Sequence, residues 1–397
     1  MSLSERVKCI SPSPTLAITA KANKMKAEGI NVIGFGAGEP DFDTPLNIKE
    51  AAKRFIDSGF TKYTPTSGIN ELKEAICGKF KNDNNLVYSP EQIIVSCGAK
   101  HSIFNIVLAM INPGDEVIIP SPFWVSYPEM VLVAGGKPVF IETRQEDGFK
   151  INHGQLKQAI NSKTKLVILN SPSNPTGMVY NKIELESLKE VIVKSNIHCI
   201  SDEIYEKLVY DNEKHTSIAS LGEDIKKLTV VVNGVSKSYS MTGWRIGYAA
   251  GPKEIIQAMS NLQDHSTSNP VSIAQKAAIE ALEGPQDSLD VMRKAFVERR
   301  DYMVDRINKI RGLSCVKPSG AFYVFFDISG IIGRNYKGKE ITGSFAITEL
   351  LLENARIAVV PGSVFGNDRY VRLSYATSMQ NITEGMNRLE EFVGKLS

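Results

Sequence analysis

Gln92-Ile-Ile-Val-Ser96-Cys97-Gly98-Ala99-Lys100-His-Ser-Ile103-Phe-Asn-Ile106-Val107-Leu-Ala-Met110-Ile111 joins a short apolar run to a longer stretch of different period. Residues 92–96 are mostly apolar and β-branched, the pattern of a strand covered on both sheet faces. Beyond a turn of small residues, Ile103, Ile106, Val107 and Met110 recur at three and four, which predicts an amphipathic helix over 100–111. The alternation continues along the chain. Residues 116–119, 137–141, 166–169, 198–200, 229–232 and 246–250 are further strand candidates, separated by stretches of helical period. Such alternation predicts an α/β fold: a mostly parallel seven-stranded sheet with helices on both faces.

At roughly 100–200 residues per domain, 397 residues predict more than one core. The Gly/Pro-rich segment 34–45 sets off an N-terminal arm, and Gly284-Pro285 precedes a long charged helical stretch over 288–310. Strand-like segments follow at 320–326 and 356–360. The expected division is an arm (1–45) contributing to a small domain, a large domain (46–287) and a smaller C-terminal α+β domain (288–397). Hydrophobic residues at 42% and charged residues at 23% exclude disordered and collagenous classes. A net charge of +2 gives no basic footprint for nucleic acid. The five cysteines form no Cys-x-x-Cys pair, residues 1–10 lack an apolar leader core, and no apolar run reaches membrane-spanning length. A soluble, reduced, cytoplasmic protein is expected, with no membrane or nucleic-acid partner.

Several motifs fail. In Gly34-Phe-Gly36-Ala-Gly38-Glu39-Pro40 the third dinucleotide glycine is a glutamate, and proline follows at once. Gly234-Val-Ser-Lys237-Ser lacks nucleotide P-loop spacing, no Gly-x-Ser-x-Gly elbow occurs, and the five histidines show no metal-ligand spacing. Four other segments leave strands at their carboxyl ends, where open α/β sheets bind ligands. Gly98-Ala99-Lys100 opens a helix, a cradle suited to phosphate. Asn170-Ser-Pro-Ser-Asn174-Pro-Thr-Gly177 is a rigid turn that would orient the Asn174 amide. Asp202 ends an apolar strand, where a carboxylate is costly unless a cation meets it; Glu203 is expected in solvent, and Tyr205 could share the Asp202 site. Lys237 stands on a loop crowded by Gly, Ser and Trp, where burial would make its amine a nucleophile toward carbonyls. Arg245, eight residues on, could answer a phosphate. Pyridoxal phosphate needs such a lysine for its aldehyde, a carboxylate for its ring nitrogen and a phosphate site; a phosphorylated sugar would leave Asp202 and Lys237 together unexplained.

Gly38-Glu-Pro-Asp-Phe, Lys62-Tyr63-Thr, Ser173-Asn174-Pro-Thr-Gly, Asp202-Glu-Ile-Tyr205, Met241-Thr-Gly-Trp-Arg245-Ile-Gly-Tyr and Val371-Arg372-Leu-Ser-Tyr-Ala-Thr-Ser stand in this order. In these motifs the chain resembles, end to end, the class I aminotransferases of pyridoxal-phosphate fold type I, in the aspartate aminotransferase branch. The resemblance implies that Lys237 holds the cofactor's aldehyde and then shuttles the proton. Asp202 would pair with the ring nitrogen, and Tyr205 and Asn174 would bond the ring's phenolic oxygen. Trp124 would stack on the ring, Gly98, Ala99 and Arg245 would bind phosphate, and Tyr63 would reach the phosphate of a neighbouring subunit in a homodimer. Gly38, Trp124, Asn174 and Arg372 would contact substrate, with Arg372 and Gly38 holding the α-carboxylate.

For substrate, the resemblance implies aspartate as amino donor and 2-oxoglutarate as acceptor, with Lys100 meeting the distal carboxylate. The segment Ser266-Thr267-Ser268-Asn269-Pro270 has no arginine, unlike aspartate aminotransferases that use one from the partner chain. Thr15 with Lys100 resembles members that also transaminate prephenate to arogenate, whereas Ser11 replaces the basic residue often found there. The rivals are an aromatic, alanine or kynurenine aminotransferase, a pyridoxal-phosphate-dependent lyase, and a non-enzymatic cofactor-binding module.

Overall fold

The apolar runs become one sheet in the computed structural model, which describes residues 3–10 and 14–397. Its strands are β1 (Ile93–Ser96), β2 (Glu116–Ser121), β3 (Lys137–Glu142), β4 (Thr164–Asn170), β5 (His198–Asp202), β6 (Thr229–Gly234) and β7 (Gly247–Ala250). They lie in the order β1-β7-β6-β5-β4-β2-β3. Only β7 runs against its neighbours; the pairs among β2 to β6 are parallel. The expected α/β class and mostly parallel seven-stranded sheet are both observed. Every residue of β1, β6 and β7 is buried, because helices cover both faces and leave no polar side to the pattern.

Four helices matter for the site: α1 (Asn70–Asn84), α2 (Ala99–Met110), α3 (Ser126–Val133) and α4 (Asp287–Lys309). In α2 the expected face is the buried one. Ile103, Ile106 and Val107 are fully enclosed against Val117 and Ile119 of β2, and burial of such a side chain contributes about 1.5–3 kcal/mol. An aspartate at Ile106 would put an unpaired charge in that core and break the α2–sheet contact.

A second core forms around α4, β8 (Tyr323–Asp327) and β9 (Tyr370–Ser374), which pair antiparallel. Ile33–Gly34 pairs with Ile357–Ala358, and Phe35 enters this core from the N-terminal side. The segment after β5 contributes Ile204, Tyr205 and Leu208 to it, so the two cores meet at the carboxyl edge of the sheet. Among the described residues no helix is long and apolar enough to cross a membrane. Ser11 lies outside the described residues, as does the side chain of Thr15.

Candidate active site

Parallel strands deliver their following loops to one edge. The register sets Asn170 beside Asp202 and Asp202 beside Val232, so the loops after β4, β5 and β6 open next to one another. Because β7 runs the other way, its amino end reaches this same edge. Ser96 pairs with Gly247, which brings Arg245 against the turn after β1. A Cβ on Gly247 would lie 2.1 Å from the Ala99 nitrogen, so only glycine permits that approach. With residues 36–39 and Arg372 of β9, these loops enclose a cavity of about 470 Å³.

Lys237, Asp202, Tyr205, Asn174, Arg245, Trp124, Ala99, Lys100, Gly38 and Arg372 all line this cavity. Two expected residues do not. Gly98 lies just behind the wall, at φ 92°, where a Cβ would fall 2.4 Å from Nη2 of Arg245. Tyr63 stands apart with 92% of its surface exposed.

Four cationic side chains, Lys100, Lys237, Arg245 and Arg372, line the wall against two carboxylates, Glu39 and Asp202. Lys237 Nζ donates to the Gly38 carbonyl at 2.5 Å, and burial lowers its amine to about 8. Asp202, 4% exposed, ends β5 and accepts a 2.6 Å hydrogen bond from the Tyr127 hydroxyl. Burial raises its carboxyl to about 6, against the opposing hydrogen bonds from Tyr127 and the Ile204 amide. Arg372 is buried, donating to Asn174 Oδ1 at 2.9 Å and to the Gly36 carbonyl at 2.8 Å. Its Cζ lies 4.5 Å from the Tyr323 ring centroid, while its Nε is buried without a partner. With the Asn174 oxygen taken, the amide nitrogen is left as donor toward the cavity. The Tyr205 hydroxyl bonds that of Tyr323 at 2.8 Å. Arg245 donates to the Thr242 and Cys97 carbonyls. Lys100 Nζ lies 4.9 Å from the Trp124 ring centroid, and burial followed by the Arg245 charge lowers its amine.

A family description, aminotransferase class I and II, matches residues 30–389. The chain belongs to that family. The aminotransferase is 54% identical to the aspartate aminotransferase of Bacillus sp. (strain YM-2), over 98% of this chain and 99% of that one. It is 52% identical to the aspartate/prephenate aminotransferase of Nitrosomonas europaea, over 98% and 99% of the two chains. The crystal structure of the aspartate aminotransferase from Rhizobium meliloti superposes with a TM-score of 0.97 at 45% identity, each chain covered in full.

Membership implies pyridoxal phosphate, and the residues present fit it. The aminotransferase offers a primary amine of lowered proton affinity, a buried carboxylate, and a glycine turn pressed against a guanidinium. The orphaned Nε of the buried Arg372 is a further donor that a carboxylate could satisfy.

Sequence reasoning missed Tyr127, Tyr323 and Phe365 in the wall. Tyr127 had one signal: it sits three residues after Trp124, the spacing of one turn. The expectation for Glu203 is corrected. It is 1% exposed rather than solvated. Ser201, Ser217 and His215 surround its carboxylate with hydrogen bonds, which makes burial tolerable.

Proposed function

We propose that this aminotransferase moves the amino group of L-aspartate to 2-oxoglutarate, giving oxaloacetate and L-glutamate. The observation that carries this reading is the pair of cations, Arg372 and Lys100, lining one cavity with Lys237. A dicarboxylic amino acid satisfies both; the names of the Bacillus and Nitrosomonas relatives point the same way. Prephenate is proposed as a second acceptor by likeness to the Nitrosomonas protein.

When bound, pyridoxal phosphate supplies an aldehyde that condenses with amines and a protonated ring that accepts the electron pair of a removed α-proton. The chain's groups do the rest. Lys237, its amine half neutral near pH 8, would hold the cofactor, then take the substrate's α-proton and deliver it to the carbon that carried the cofactor's aldehyde. Asp202 keeps the ring nitrogen charged, and Tyr127 orients the Asp202 carboxylate. Asn174 and Tyr205 would bond the phenolic oxygen, Trp124 would cover the ring, and Ala99 and Arg245 would bind the phosphate, with Gly98 leaving room for the Arg245 guanidinium. Arg372, with Gly38, holds the α-carboxylate in the bidentate way a guanidinium suits, and Lys100 meets the distal carboxylate.

The exposed Tyr63 ring supports a homodimer in which it reaches the partner's phosphate site. The division into arm, large domain (46–287) and small domain (288–397) is supported by a core around α4, β8 and β9 beside that of the sheet, although residues 204–210 of the large domain enter the former. A cytoplasmic setting is supported by the thiols of Cys77, Cys97, Cys199 and Cys315, none in a disulfide.

A donor panel of aspartate, glutamate, tyrosine and alanine, with prephenate as acceptor, read by cofactor absorbance, tests the assignment. Aspartate is expected to convert the cofactor to its amine form with the highest kcat/KM. Faster conversion by tyrosine or alanine would overturn the assignment.

A further inference from the structure

The turn after β5 sends its acids in opposite directions. Asp202 and Tyr205 face the cavity, whereas Glu203 and Glu206 are buried away from it. Glu203 Oε1 accepts from Ser201 Oγ at 2.7 Å and from Ser217 Oγ at 2.6 Å; its Oε2 lies 2.9 Å from Nε2 of His215. Facing a carboxylate, that ring nitrogen carries the hydrogen. Glu206 is ion-paired with Lys79 of α1 and accepts from Asn84 Nδ2 at 2.9 Å.

Ligand atoms of Glu203, Glu206 and His215 lie within 4.8 Å of one another. The Lys79 ammonium already stands on Glu206, and two hydroxyls and an imidazole stand on Glu203, so protein groups satisfy both carboxylates, and Nδ1 of His215 is left buried without a partner. Its meaning lies in its address. Three donors, from β5 and from the 211–217 loop, grip the residue that directly follows Asp202.

We propose that Glu203 and His215 form a buried positioning couple that fixes the turn carrying Asp202 and Tyr205 and sets the electrostatic field at the Asp202 carboxylate. The proposal rests on Asp202 being the partner of the cofactor's ring nitrogen. A second carboxylate one residue away works against ionisation of Asp202. The three hydrogen bonds spread that charge and pin it at one distance.

The charged and titratable neighbours of the couple are Asp202, Cys199, Glu206, Lys79, Tyr88 and Tyr248. Burial pushes the thiol and both phenols upward, so they stay neutral. Burial would also raise Glu206, but the Lys79 charge outweighs it and holds the carboxyl at about 2. At Asp202 the Glu203 charge is opposed by that of Lys237, which favours ionisation and is common to every variant tested, so a change in the couple is what the comparison reads.

The test compares cofactor-loaded wild type with Glu203→Gln, His215→Ala and His215→Gln. Three quantities are read: the pH midpoint of the bound cofactor's absorbance, kcat and KM for aspartate, and Tm. Removing the Glu203 charge should move the midpoint down by about one pH unit. His215→Ala leaves the carboxylate less well bonded; the midpoint should move up and kcat fall on the order of tenfold with KM little changed. His215→Gln restores an N–H donor and should return both toward wild type. If Glu203→Gln does not fold, the two His215 variants decide the matter. Lower Tm with unmoved midpoints, or no rescue by glutamine, overturns the proposal. Asp202→Asn is run beside them: unchanged absorbance and turnover there would overturn the assignment of Asp202 and, with it, the role of the couple.

Discussion

Replacing Tyr127 with phenylalanine removes one buried oxygen and the 2.6 Å hydrogen bond it donates to Asp202. The rest of the ring, packed edge-on against Trp124 at 5.2 Å, stays. A hydrogen bond to a charged group contributes about 1.5–3 kcal/mol, which corresponds to roughly one to two pH units of proton affinity. Burial has already lifted the Asp202 carboxyl to about 6. Losing the bond would carry it to roughly 7–8 in the cofactor-free protein. The sign follows: near pH 7 more of the carboxyl is protonated, and a neutral acid cannot hold a pyridinium. Cofactor affinity at pH 7 should therefore fall by about two- to tenfold and recover as the pH rises above the new midpoint. Titrating cofactor-free protein with pyridoxal phosphate from pH 6 to 9, followed by absorbance, measures this directly. Wild-type affinity and an unmoved pH profile in Tyr127→Phe would refute the argument that this phenol keeps Asp202 ionised.

The remaining outcomes concern the cations and the partner chain. Lys100→Ala should lower kcat/KM for aspartate by about ten- to a hundredfold and leave alanine little affected; equal losses would remove the acidic-substrate assignment. The Lys237 amine, lowered to about 8 by burial, should make the rate of cofactor incorporation rise through pH 8; a midpoint near that of free lysine would show an exposed amine. Co-refolding Tyr63→Ala with Lys237→Ala chains should regain activity, because a mixed dimer contains one intact site. No gain over the separately refolded chains would place Tyr63 outside the neighbour's site.

The sheet could be read from the sequence because covering both faces leaves continuous apolar runs. The same geometry made Lys237, Asp202, Asn174 and Arg245 readable, each at a strand end. Arg372 is different: it lies inside β9, and only resemblance marked it. Tyr127 lies on a helix among buried Pro128, Met130 and Val131, with only its spacing from Trp124 to set it apart from packing. Glu203 was misread because its partners come from residues 2, 12 and 14 positions away, outside any local pattern.

Arg372 meets the Gly36 carbonyl across 336 positions of the chain. Contacts spanning such distances form late, since the intervening polypeptide must first be ordered. Denatured enzyme returned to native conditions with excess vitamin B6 phosphate should thus regain turnover of aspartate only in the last kinetic phase, after its yellow colour has appeared. Colour then reports assembly of residues 98–245, which own the chromophore's surroundings, and the lag between colour and turnover clocks closure of the whole polypeptide.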